Sequence, residues 1–343
     1  MAGNEKLGFG IVGCGSVSEI HARALKKLDS TELVAVYSRS EDNAKSVGEE
    51  HGTDYHTDWE EFINRDDLDV VSICTPSGTH LDYGKRSAEA GKHVVVEKPI
   101  EVTVEKGQQL IDICKQNGVH LSVIFQNRFI PDVLEMKKSI DNGTIGKVHL
   151  ADAYIKWFRD QEYYDSGGWR GTFALDGGGA LINQSIHTID LLQWMVGDVS
   201  SVFGKIGTFT HKGIEGEDTG VAVINFRNGP VGVIEGATSV FPAQERMLEI
   251  HGDKGTAILK GNIFTLKTGE DTPEQTDEGE EGGASSPFAG FSIQPHMSQF
   301  DEIVKAIHAN EESSVTGEEA LKSLAIIRGI YESSQSNSMV DLS

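Results

Sequence analysis

The first third of the chain alternates short apolar runs with amphipathic stretches. Runs apolar enough to be strands buried on both faces lie at Leu7–Val12, Thr31–Tyr37, Asp69–Cys74, His93–Val96 and Val119–Ile124. Apolar residues at helical spacing occupy Glu19–Leu28, Ser77–Ala90 and Val102–Asn117. Strands that alternate with helices in this way indicate a parallel sheet covered by helices. We therefore predict an α/β Rossmann domain over residues 1–125.

From about Gly146 the pattern changes to neighbouring strands joined by short Gly- or Asn-containing turns. The predicted strands cover residues 146–158, 202–210, 220–226, 231–238, 246–251 and 256–259. Helical patterns return at Met297–Ala309 and Glu318–Ser333, and residues 268–286 have the composition of an exposed acidic loop. This order predicts an α+β domain with a large open antiparallel sheet over residues 126–343.

Composition narrows the classes of function. The formal net charge of −23 argues against nucleic acid and anionic membranes as partners, and is explained by solubility or by adaptation to high salt. No apolar run approaches the ~20 residues of a membrane span, and no secretory signal opens the chain. The three cysteines lack CxxC spacing, so we expect a reducing, cytoplasmic location and no metal site.

A glycine-rich turn follows the first predicted strand. Gly13 permits a tight turn, and Gly15 lets an anion approach the backbone at the start of the next helix. Ser18 stands where a third glycine or alanine is usual, and is small enough for close packing. The strand, turn, helix and second strand predict a dinucleotide-binding unit. The residues expected to contact the cofactor at this turn are Gly13, Cys14, Gly15, Ser16 and Val17.

The end of the second strand bears on the choice between NAD and NADP. An acidic residue at this point binds the ribose 2′-hydroxyl of NAD and repels a 2′-phosphate. This chain has Ser38, Arg39 and Ser40 instead. Hydroxyl groups and a guanidinium suit a phosphate, so NADP is favoured over NAD. The alternative is that Arg39 stacks on the adenine of NAD.

Polar residues also follow the later strands, where ligands bind in sheets of this kind. Lys98 ends one strand, and Pro99 restricts its backbone, so we expect the ammonium to contact both cofactor and substrate. His80 either contacts the cofactor or caps its helix. The other candidates at these strand ends are Thr75, Pro76, Glu97 and Asn127 for the cofactor and Arg128 for the substrate.

One stretch of the second domain, Asp176–Trp194, is the main candidate for chemistry. Three glycines open it and leave room for a ligand, and an amphipathic helical pattern follows. Spacings of four and three residues place Asn183, His187 and Asp190 on one helix face. An amide, an imidazole and a carboxylate there can hold a sugar hydroxyl and accept its proton; the alternative is a core helix with a polar stripe. Candidate substrate contacts just before this stretch are Tyr163, Trp169 and Arg170.

Four motifs, in this order, resemble the Gfo/Idh/MocA family of NAD(P)-dependent sugar and polyol oxidoreductases. They are GCGSVS at 13–18, TPSGTH at 75–80, EKP at 97–99 and GGG…H..D at 177–190. The likeness covers nearly the whole chain. Residues 163–194 are most similar to the nucleotide-sugar dehydrogenases of the WlbA type, known for oxidising C3 of a UDP-linked N-acetylated glucuronic acid. The resemblance implies a Rossmann domain and a homodimer or homotetramer formed through the open sheet.

The resemblance also implies roles for single residues. Lys98 corresponds to the lysine that binds the reacting hydroxyl, and His187 to the acid/base histidine. Asn183 stands where some members have an aspartate; an amide cannot take a proton, so we expect it to fix a hydroxyl. Asp190 is then a supporting or structural group. Arg39 departs from the acid that the WlbA type generally carries.

The expected reaction is hydride transfer between NAD(P) and a secondary alcohol of a sugar, sugar acid or nucleotide sugar. Two alternatives stay open at this point. One is a lyase or glycosidase that oxidises its sugar only transiently; the other is a regulator that senses a nucleotide without catalysis. The presence of both Lys98 and His187 weighs against the regulator.

Overall fold

The computed structural model describes residues 6–269 and 292–342. The chain divides into two compact units, one made of residues 1–126 and 291–321, the other of residues 127–290 and 322–343. The second domain was predicted to cover residues 126–343, whereas residues 291–321 belong to the first unit. The predicted acidic loop lies outside the described residues, apart from its first two positions.

The first unit contains a six-stranded sheet in the order β3-β2-β1-β4-β5-β6, with every pair parallel. The strands are β1 Leu7–Val12, β2 Thr31–Tyr37, β3 Asp54–His56, β4 Val70–Ile73, β5 His93–Val96 and β6 Leu121–Val123. The helices are α1 Ser16–Lys27, α2 Glu41–His51, α3 Trp59–Ile63, α4 His80–Glu89, α5 Val104–Gln116 and, from the returning segment, α9 Gln294–Ala309. This strand order is that of a dinucleotide-binding Rossmann fold, as the sequence predicted.

The core of the first unit explains why the segment after residue 291 belongs to it. Phe9 of β1 and Phe300 of α9 are both fully buried, and their rings meet edge to face at 5.8 Å between centroids. Gln299 donates from its side-chain amide to the carbonyl of Val123 at 2.8 Å. An amphipathic α9 therefore covers an apolar face of the sheet that would otherwise meet water.

The second unit contains an eight-stranded sheet in the order β13-β12-β11-β7-β10-β9-β8-β14. The strands are β7 Val148–Lys156, β8 Val199–Gly207, β9 Thr219–Phe226, β10 Val231–Ala237, β11 Met247–Gly252, β12 Gly255–Lys260, β13 Ile263–Thr268 and β14 Val340–Asp341. The helices are α6 Pro131–Asp141, α7 Gln161–Asp165, α8 Ile186–Val196, preceded by a π-helical turn Ala180–Ser185, and α10 Gly317–Ser336, which extends across the division at Leu321.

The sheet of the second unit is mixed, not wholly antiparallel as predicted. Its other pairs are antiparallel, but β7 and β10 run parallel, from Leu150 opposite Val231 to Lys156 opposite Ala237. The reason is chain order: β7 enters the sheet before α7 and α8, and β10 returns beside it later. The periodicity of a single strand carries no information about this direction.

Among the described residues, no helix is long and apolar enough to cross a membrane. The three cysteines, Cys14, Cys74 and Cys114, are free thiols. Burial raises the pKa of Cys14 to about 11 and that of Cys114 to about 12. Both groups are therefore thiols, not thiolates, at neutral pH.

Candidate active site

The turn between β1 and α1 is built to receive an anion. Gly13 has a φ of +95°, and a Cβ there would lie 2.9 Å from backbone atoms of Cys74, so glycine is required. A Cβ at Gly15 would meet nothing within 4 Å. Gly15 directly precedes the 12-residue α1, whose N-terminus has no side-chain cap. The first N–H groups of α1 are thus available to a ligand. The buried Ser18 donates its hydroxyl to the Gly15 carbonyl at 2.5 Å, which fixes the turn from below.

The end of β2 presents its polar residues toward solvent. Arg39 and Ser40 are exposed and Ser38 is half-buried. The Ser40 hydroxyl caps α2 by accepting from the Asn43 N–H at 3.4 Å. The Ser38 hydroxyl accepts from the Ser40 N–H at 3.2 Å. The two hydroxyl groups therefore stabilise the turn, and the Arg39 guanidinium is its one exposed cation.

His80 was predicted to contact the cofactor or to cap its helix, but it has no exposed surface and makes no capping hydrogen bond. Its side chain is fully buried. Nδ1 lies 2.9 Å from the Pro99 carbonyl and Nε2 lies 3.0 Å from the Thr75 carbonyl. Burial lowers the pKa of His80, although the contacts with the two carbonyl groups raise it. The ring lies between the loops that follow β4 and β5. The prediction of cofactor contact at His80 is wrong, whereas Thr75 and Pro76 stay partly exposed.

Glu97, also predicted to contact the cofactor, turns into the core instead. Its Oε1 lies 2.9 Å from His21 Nε2, and its Oε2 accepts from the Lys98 N–H at 3.1 Å. Burial raises the pKa of Glu97, but the hydrogen bond and charge of His21 and the charges of Lys98 and His296 outweigh it and lower the pKa to about 2. Glu97 is therefore a buried carboxylate that positions the end of β5, where Lys98 lies half-buried.

His21, Glu97 and His296 form the nearest approach to a buried metal site among the described residues. One ligand atom from each lies within 4.8 Å of the others. Two of these groups are already joined by the His21–Glu97 hydrogen bond, and His21 Nδ1 lies 2.8 Å from the Ser72 hydroxyl. The cluster is thus accounted for as a hydrogen-bonded support for the strand ends. His21 was not predicted as a site residue, because its position in the sequence is that of an ordinary buried residue of α1.

In the second unit, the exposure pattern selects three side chains. Every residue from Asp176 to Gln193 is buried except Asn183, Gln184 and His187, which are half-buried. Asn183 and Gln184 lie in the π-helical turn and His187 in the first turn of α8. π-Helical turns inside helices are often found at functional sites. The structure therefore supports Asn183 and His187 as accessible groups, and adds Gln184.

The Asn183 amide is held in one orientation by its neighbours. Its nitrogen donates to Asp176 Oδ1 at 2.5 Å, and its oxygen accepts from Gln184 Nε2 at 2.6 Å and from the Tyr163 hydroxyl at 3.3 Å. A carboxylate can only accept, so the amide nitrogen must face Asp176. Gln184 is fixed in turn, because its oxygen accepts from Arg159 at 2.7 Å.

An aromatic and cationic cluster adjoins this network. The Arg170 guanidinium lies 4.6 Å from the Tyr163 ring centre and 5.0 Å from that of Trp169, and Arg159 lies 5.3 Å from Tyr163. Arg170 donates to the Ser166 hydroxyl at 2.8 Å, and its buried Nε has no hydrogen-bond partner among the described residues. The three predicted substrate contacts, Tyr163, Trp169 and Arg170, therefore lie together.

Arg128, predicted to bind the substrate, and Asp190, predicted to be a catalytic residue with a supporting or structural role, bind each other. Both are almost fully buried, and Arg128 donates from Nε and Nη2 to the two oxygens of Asp190 at 2.8 and 2.7 Å. The guanidinium also stacks on Trp194 at 5.1 Å. A bidentate buried pair of this kind fixes α8 against the start of the unit. Asp190 is consequently not on the accessible face with His187, because the helix turns it inward.

The glycine run has a different function from the one predicted. Gly177, Gly178 and Gly179 are buried, and a Cβ at Gly179 would lie 1.8 Å from the Glu217 carbonyl. The glycines therefore allow close packing against the body of the unit, not access for a ligand. Glu217, the acid beneath this run, was missed, because a glutamate in a polar stretch gives no sign that it is buried. Asn127, a predicted cofactor contact, is the half-buried first residue of this unit.

Comparison with known proteins identifies the relatives of both units. Residues 7–125 match the family model described as "Oxidoreductase family, NAD-binding Rossmann fold", and residues 137–342 match "Oxidoreductase family, C-terminal alpha/beta domain". The WlbA dehydrogenase of Bordetella pertussis, solved with NADH and UDP-GlcNAcA, is 32% identical with a TM-score of 0.88, and the match covers 99% of each chain.

Two curated relatives are sugar or polyol dehydrogenases. The myo-inositol 2-dehydrogenase of Thermotoga maritima is 27% identical over 93% of each chain. The D-glucoside 3-dehydrogenase of Escherichia coli is 29% identical over 76% of this chain and 79% of its own. With a Rossmann unit carrying a glycine turn before α1 and a mixed-sheet unit carrying an accessible imidazole, this chain belongs to the Gfo/Idh/MocA family of NAD-binding oxidoreductases.

Proposed function

We propose that this chain is an NAD(P)-dependent dehydrogenase that interconverts a secondary alcohol and a ketone on a sugar, a sugar acid or a nucleotide sugar. The observation that carries the proposal is that Asn183, Gln184 and His187 alone are accessible within the buried segment Asp176–Gln193. An amide and an imidazole can hold a hydroxyl group and remove its proton. The inositol and glucoside dehydrogenases among the relatives support a polyhydroxylated substrate.

In the proposed mechanism, His187 takes the proton of the reacting hydroxyl. Asn183, oriented by Asp176 and Tyr163, holds the hydroxyl but cannot accept its proton. The Lys98 ammonium stabilises the negative charge that develops on the oxygen, an effect worth roughly 3–4 kcal/mol of activation free energy in comparable sites. NAD(P), held at the turn that contains Gly15, supplies the hydride acceptor when it is bound.

The preference for NADP over NAD is part of the proposal. Arg39 is exposed at the end of β2, and a guanidinium there can bind a 2′-phosphate with paired hydrogen bonds. The nearest acids, Glu41 and Asp42, lie in the first turn of α2, where they favour the helix N-terminus. The WlbA dehydrogenase of Bordetella pertussis was solved with NADH, so the proposal of NADP depends on Arg39 of this chain alone.

We further propose that the substrate carries an anionic group. Arg170 stacks on two aromatic rings and has a buried Nε without a hydrogen-bond partner among the described residues. A buried donor left unpaired costs about 1–3 kcal/mol, which an acceptor on the substrate would recover. The UDP-GlcNAcA of the Bordetella pertussis complex is an anionic sugar nucleotide, consistent with this requirement.

The open sheet face supports a homodimer or homotetramer. Exposed apolar side chains lie on adjacent strands of this face, among them Phe203 on β8, Val221 and Val223 on β9, and Val231 on β10. Phe203 is directly opposite Val223 in the β8–β9 register. A contiguous exposed apolar patch marks a protein interface. Replacing both Phe203 and Val223 with lysine is expected to shift the oligomer toward monomer in sedimentation velocity, and an unchanged oligomer would reject this face.

The three free thiols fit a reducing compartment such as the cytoplasm, which we include in the proposal. When cells are lysed directly into denaturant with an alkylating reagent, we expect all three cysteines of this chain to be labelled. Protection of any of them until a reductant is added would contradict it.

The proposed function is tested by mixing the purified chain with NAD or NADP and a panel of sugars, sugar acids and UDP-sugars. Reduced nicotinamide, followed by its absorbance, is expected to accumulate with at least one substrate. His187→Gln should abolish the signal, whereas His308→Gln, at an exposed position of α9, should retain it. Consumption of sugar without reduced cofactor would indicate a lyase or glycosidase cycle, and cofactor binding without turnover would indicate a non-catalytic regulator.

A further inference from the structure

The buried acid Glu217 receives hydrogen bonds from the start of the segment that carries Asn183 and His187. Glu217 lies just before β9 and is 1% exposed. Its Oε1 accepts from the Leu181 N–H at 2.6 Å, and its Oε2 accepts from the Gly179 N–H at 3.1 Å. Its main-chain carbonyl accepts from the Ala180 N–H at 2.8 Å. One residue therefore satisfies three successive donors that the first turn of a helix leaves unpaired.

Glycines in this turn and on the neighbouring strand β10 allow the turn to pack closely against its surroundings. A Cβ at Gly179 would lie 1.8 Å from the Glu217 carbonyl oxygen, and one at Gly178 would lie 2.2 Å from the Tyr331 hydroxyl. On the sheet side, a Cβ at Gly236 would lie 2.5 Å from the Ser185 hydroxyl. Movement of the turn is thus restricted in these directions, and the hydrogen bonds to Glu217 set its remaining position.

The position of the Gly179–Leu181 turn determines the positions of Asn183 and His187. The Asn183 N–H donates to the Gly179 carbonyl at 3.0 Å, so Asn183 is one helical turn beyond the residue that Glu217 holds. His187 lies one helical turn after Asn183, in the first turn of α8. A displacement of the Gly179–Leu181 backbone therefore displaces the amide and the imidazole together.

The other groups that face Glu217 come from two helices. On α10, Tyr331 donates its hydroxyl to Glu217 Oε1 at 3.1 Å, and Arg328 lies 5.5 Å from the Tyr331 ring. On α7, the buried Tyr164 is close enough for Glu217 to affect its ionisation. Burial raises the pKa of Glu217 to about 7, although the hydrogen bonds from Leu181, Tyr331 and Gly179 lower it. A protonated carboxyl would direct its own O–H toward groups that now donate to it, so acid weakens this attachment.

We propose that Glu217 is a positioning residue that holds the Gly179–Leu181 turn and thereby sets the orientation of Asn183 and His187 for catalysis. This inference rests on the proposed dehydrogenase function, because its main consequence is read in alcohol oxidation. Nothing in it requires Glu217 to touch substrate or cofactor.

The test compares Glu217→Gln with Glu332→Gln, which makes the same change on an exposed side chain of α10. A glutamine presents one N–H donor to either Gly179 or Leu181 and loses one hydrogen bond. We expect kcat/KM for the sugar to fall on the order of 10- to 100-fold, as small misplacements of reacting groups do, with kcat lowered and KM raised. The Kd of the cofactor and its binding stoichiometry should be unchanged, and Glu332→Gln should match the wild type.

The pH profile separates positioning from a general loss of folded protein. Wild-type kcat/KM should decline on acidification through about pH 7 more steeply than that of Glu217→Gln, since only the wild type has this carboxyl to protonate. A reduced folded fraction would lower kcat at every pH and leave KM unchanged. Parallel pH profiles, or kinetic constants of Glu217→Gln within about twofold of the wild type, would overturn the inference.

Amide hydrogen exchange gives a readout that does not depend on activity. Glu217→Gln should speed exchange at Gly179, Ala180 and Leu181 relative to Glu332→Gln, and unchanged exchange would overturn the inference. If wild type oxidises no sugar, the proposed function fails, while exchange still decides whether Glu217 holds the turn. If Glu217→Gln does not fold, Tyr331→Phe is the second variant, because it removes a single donor to the carboxylate. Tyr331→Phe should show smaller changes of the same kind in kcat, KM and hydrogen exchange. Wild-type values for Tyr331→Phe would then reject the inference.

Discussion

Each unit contains a buried glutamate beneath its functional residues, and the two have opposite ionisation behaviour. Glu97 is 9% exposed and Glu217 is 1% exposed, so burial raises the pKa of both. The hydrogen bond with His21, together with the charge interactions with His21, Lys98 and His296, reverses this effect and lowers its pKa to about 2. Within residues 6–269 and 292–342, Glu217 accepts side-chain hydrogen bonds from backbone N–H groups and from the Tyr331 hydroxyl, and burial raises its pKa to about 7.

The difference shows that the charge of a partner, more than the depth of burial, sets the state of a buried acid. The Rossmann unit holds a fixed negative charge, that of Glu97, beside Lys98 at every physiological pH. The mixed-sheet unit holds its accessible residues with an acid that changes charge near neutrality. The candidate residues of the two units should therefore respond differently to mutation and to pH.

The largest expected effect comes from removing the cation next to Glu97. Lys98→Met should lower kcat by roughly two to three orders of magnitude, because a preorganised charge on the developing alkoxide is worth roughly 3–4 kcal/mol. The measurement is steady-state turnover of the substrate identified by the panel. Lys45→Met, at an exposed position of α2, is the control, and turnover of Lys98→Met close to that of the control would remove Lys98 from the mechanism.

The next effect is a pH-dependent stability that belongs to Glu217. Its pKa is raised in the folded chain from an ordinary 4.5 to about 7, so its contribution is complete below pH 4.5 and is lost as the pH rises through 7. A shift of this size corresponds to roughly 3 kcal/mol. Between about pH 5 and 8, the free energy of unfolding of wild type should fall relative to that of Glu217→Gln. Parallel curves from urea unfolding would contradict this.

Glu97 should change the pH dependence of the free energy of unfolding by a similar magnitude but with the opposite sign. Its pKa is lowered in the folded chain from 4.5 to about 2, so its contribution is present above pH 4.5 and is lost as the pH falls through 2, again roughly 3 kcal/mol. The difference in unfolding free energy between wild type and Glu97→Gln should be constant from about pH 6 to 8 and shrink in acid. A difference that shrinks toward alkaline pH would erase the contrast with Glu217.

The smallest effect is expected at an exposed charge. Arg39→Ala should weaken NADPH binding about tenfold, the loss of one charge-assisted contact of ~1.5 kcal/mol, and change NADH binding much less. Fluorescence titration with both reduced cofactors measures the two Kd values. Equal losses would favour stacking of Arg39 on the adenine ring, and would make NAD an equal candidate.

Five of the six strands of the Rossmann unit could be predicted closely because most of their residues are buried. β3, Asp54–His56, was not predicted, because its residues are exposed or half-buried. Thr31–Tyr37 and His93–Val96 have the bounds expected from their apolar runs. α6, Pro131–Asp141, was missed, because only Val133 and Met136 of it are buried and its apolar stripe is weak. The parallel pairing of β7 with β10 was also unpredictable, since strand direction depends on contacts distant in sequence.

For the candidate site, the sequence predicted which residues are accessible but not which buried residues support them. Glycine spacing located the turn at Gly13 and Gly15, and helical spacing located Asn183 and His187. The same spacing failed at Asp190, because a partner distant in sequence, Arg128, turns it into a buried ion pair. Glu217 had no sequence signal at all, since its role depends on the backbone of residues far along the chain.

The return of α9 to the first sheet limits how this protein can be divided in the laboratory. A gene fragment that stops at residue 126 would lack Phe300, which packs on Phe9, and Gln299, which pairs with the Val123 carbonyl. It would also lose the hydrogen bond from the Val123 N–H to the Val315 carbonyl. A free-standing nucleotide-binding module therefore needs residues 292–321 grafted onto it, so cofactor affinity measured on a simple truncation would report a damaged scaffold.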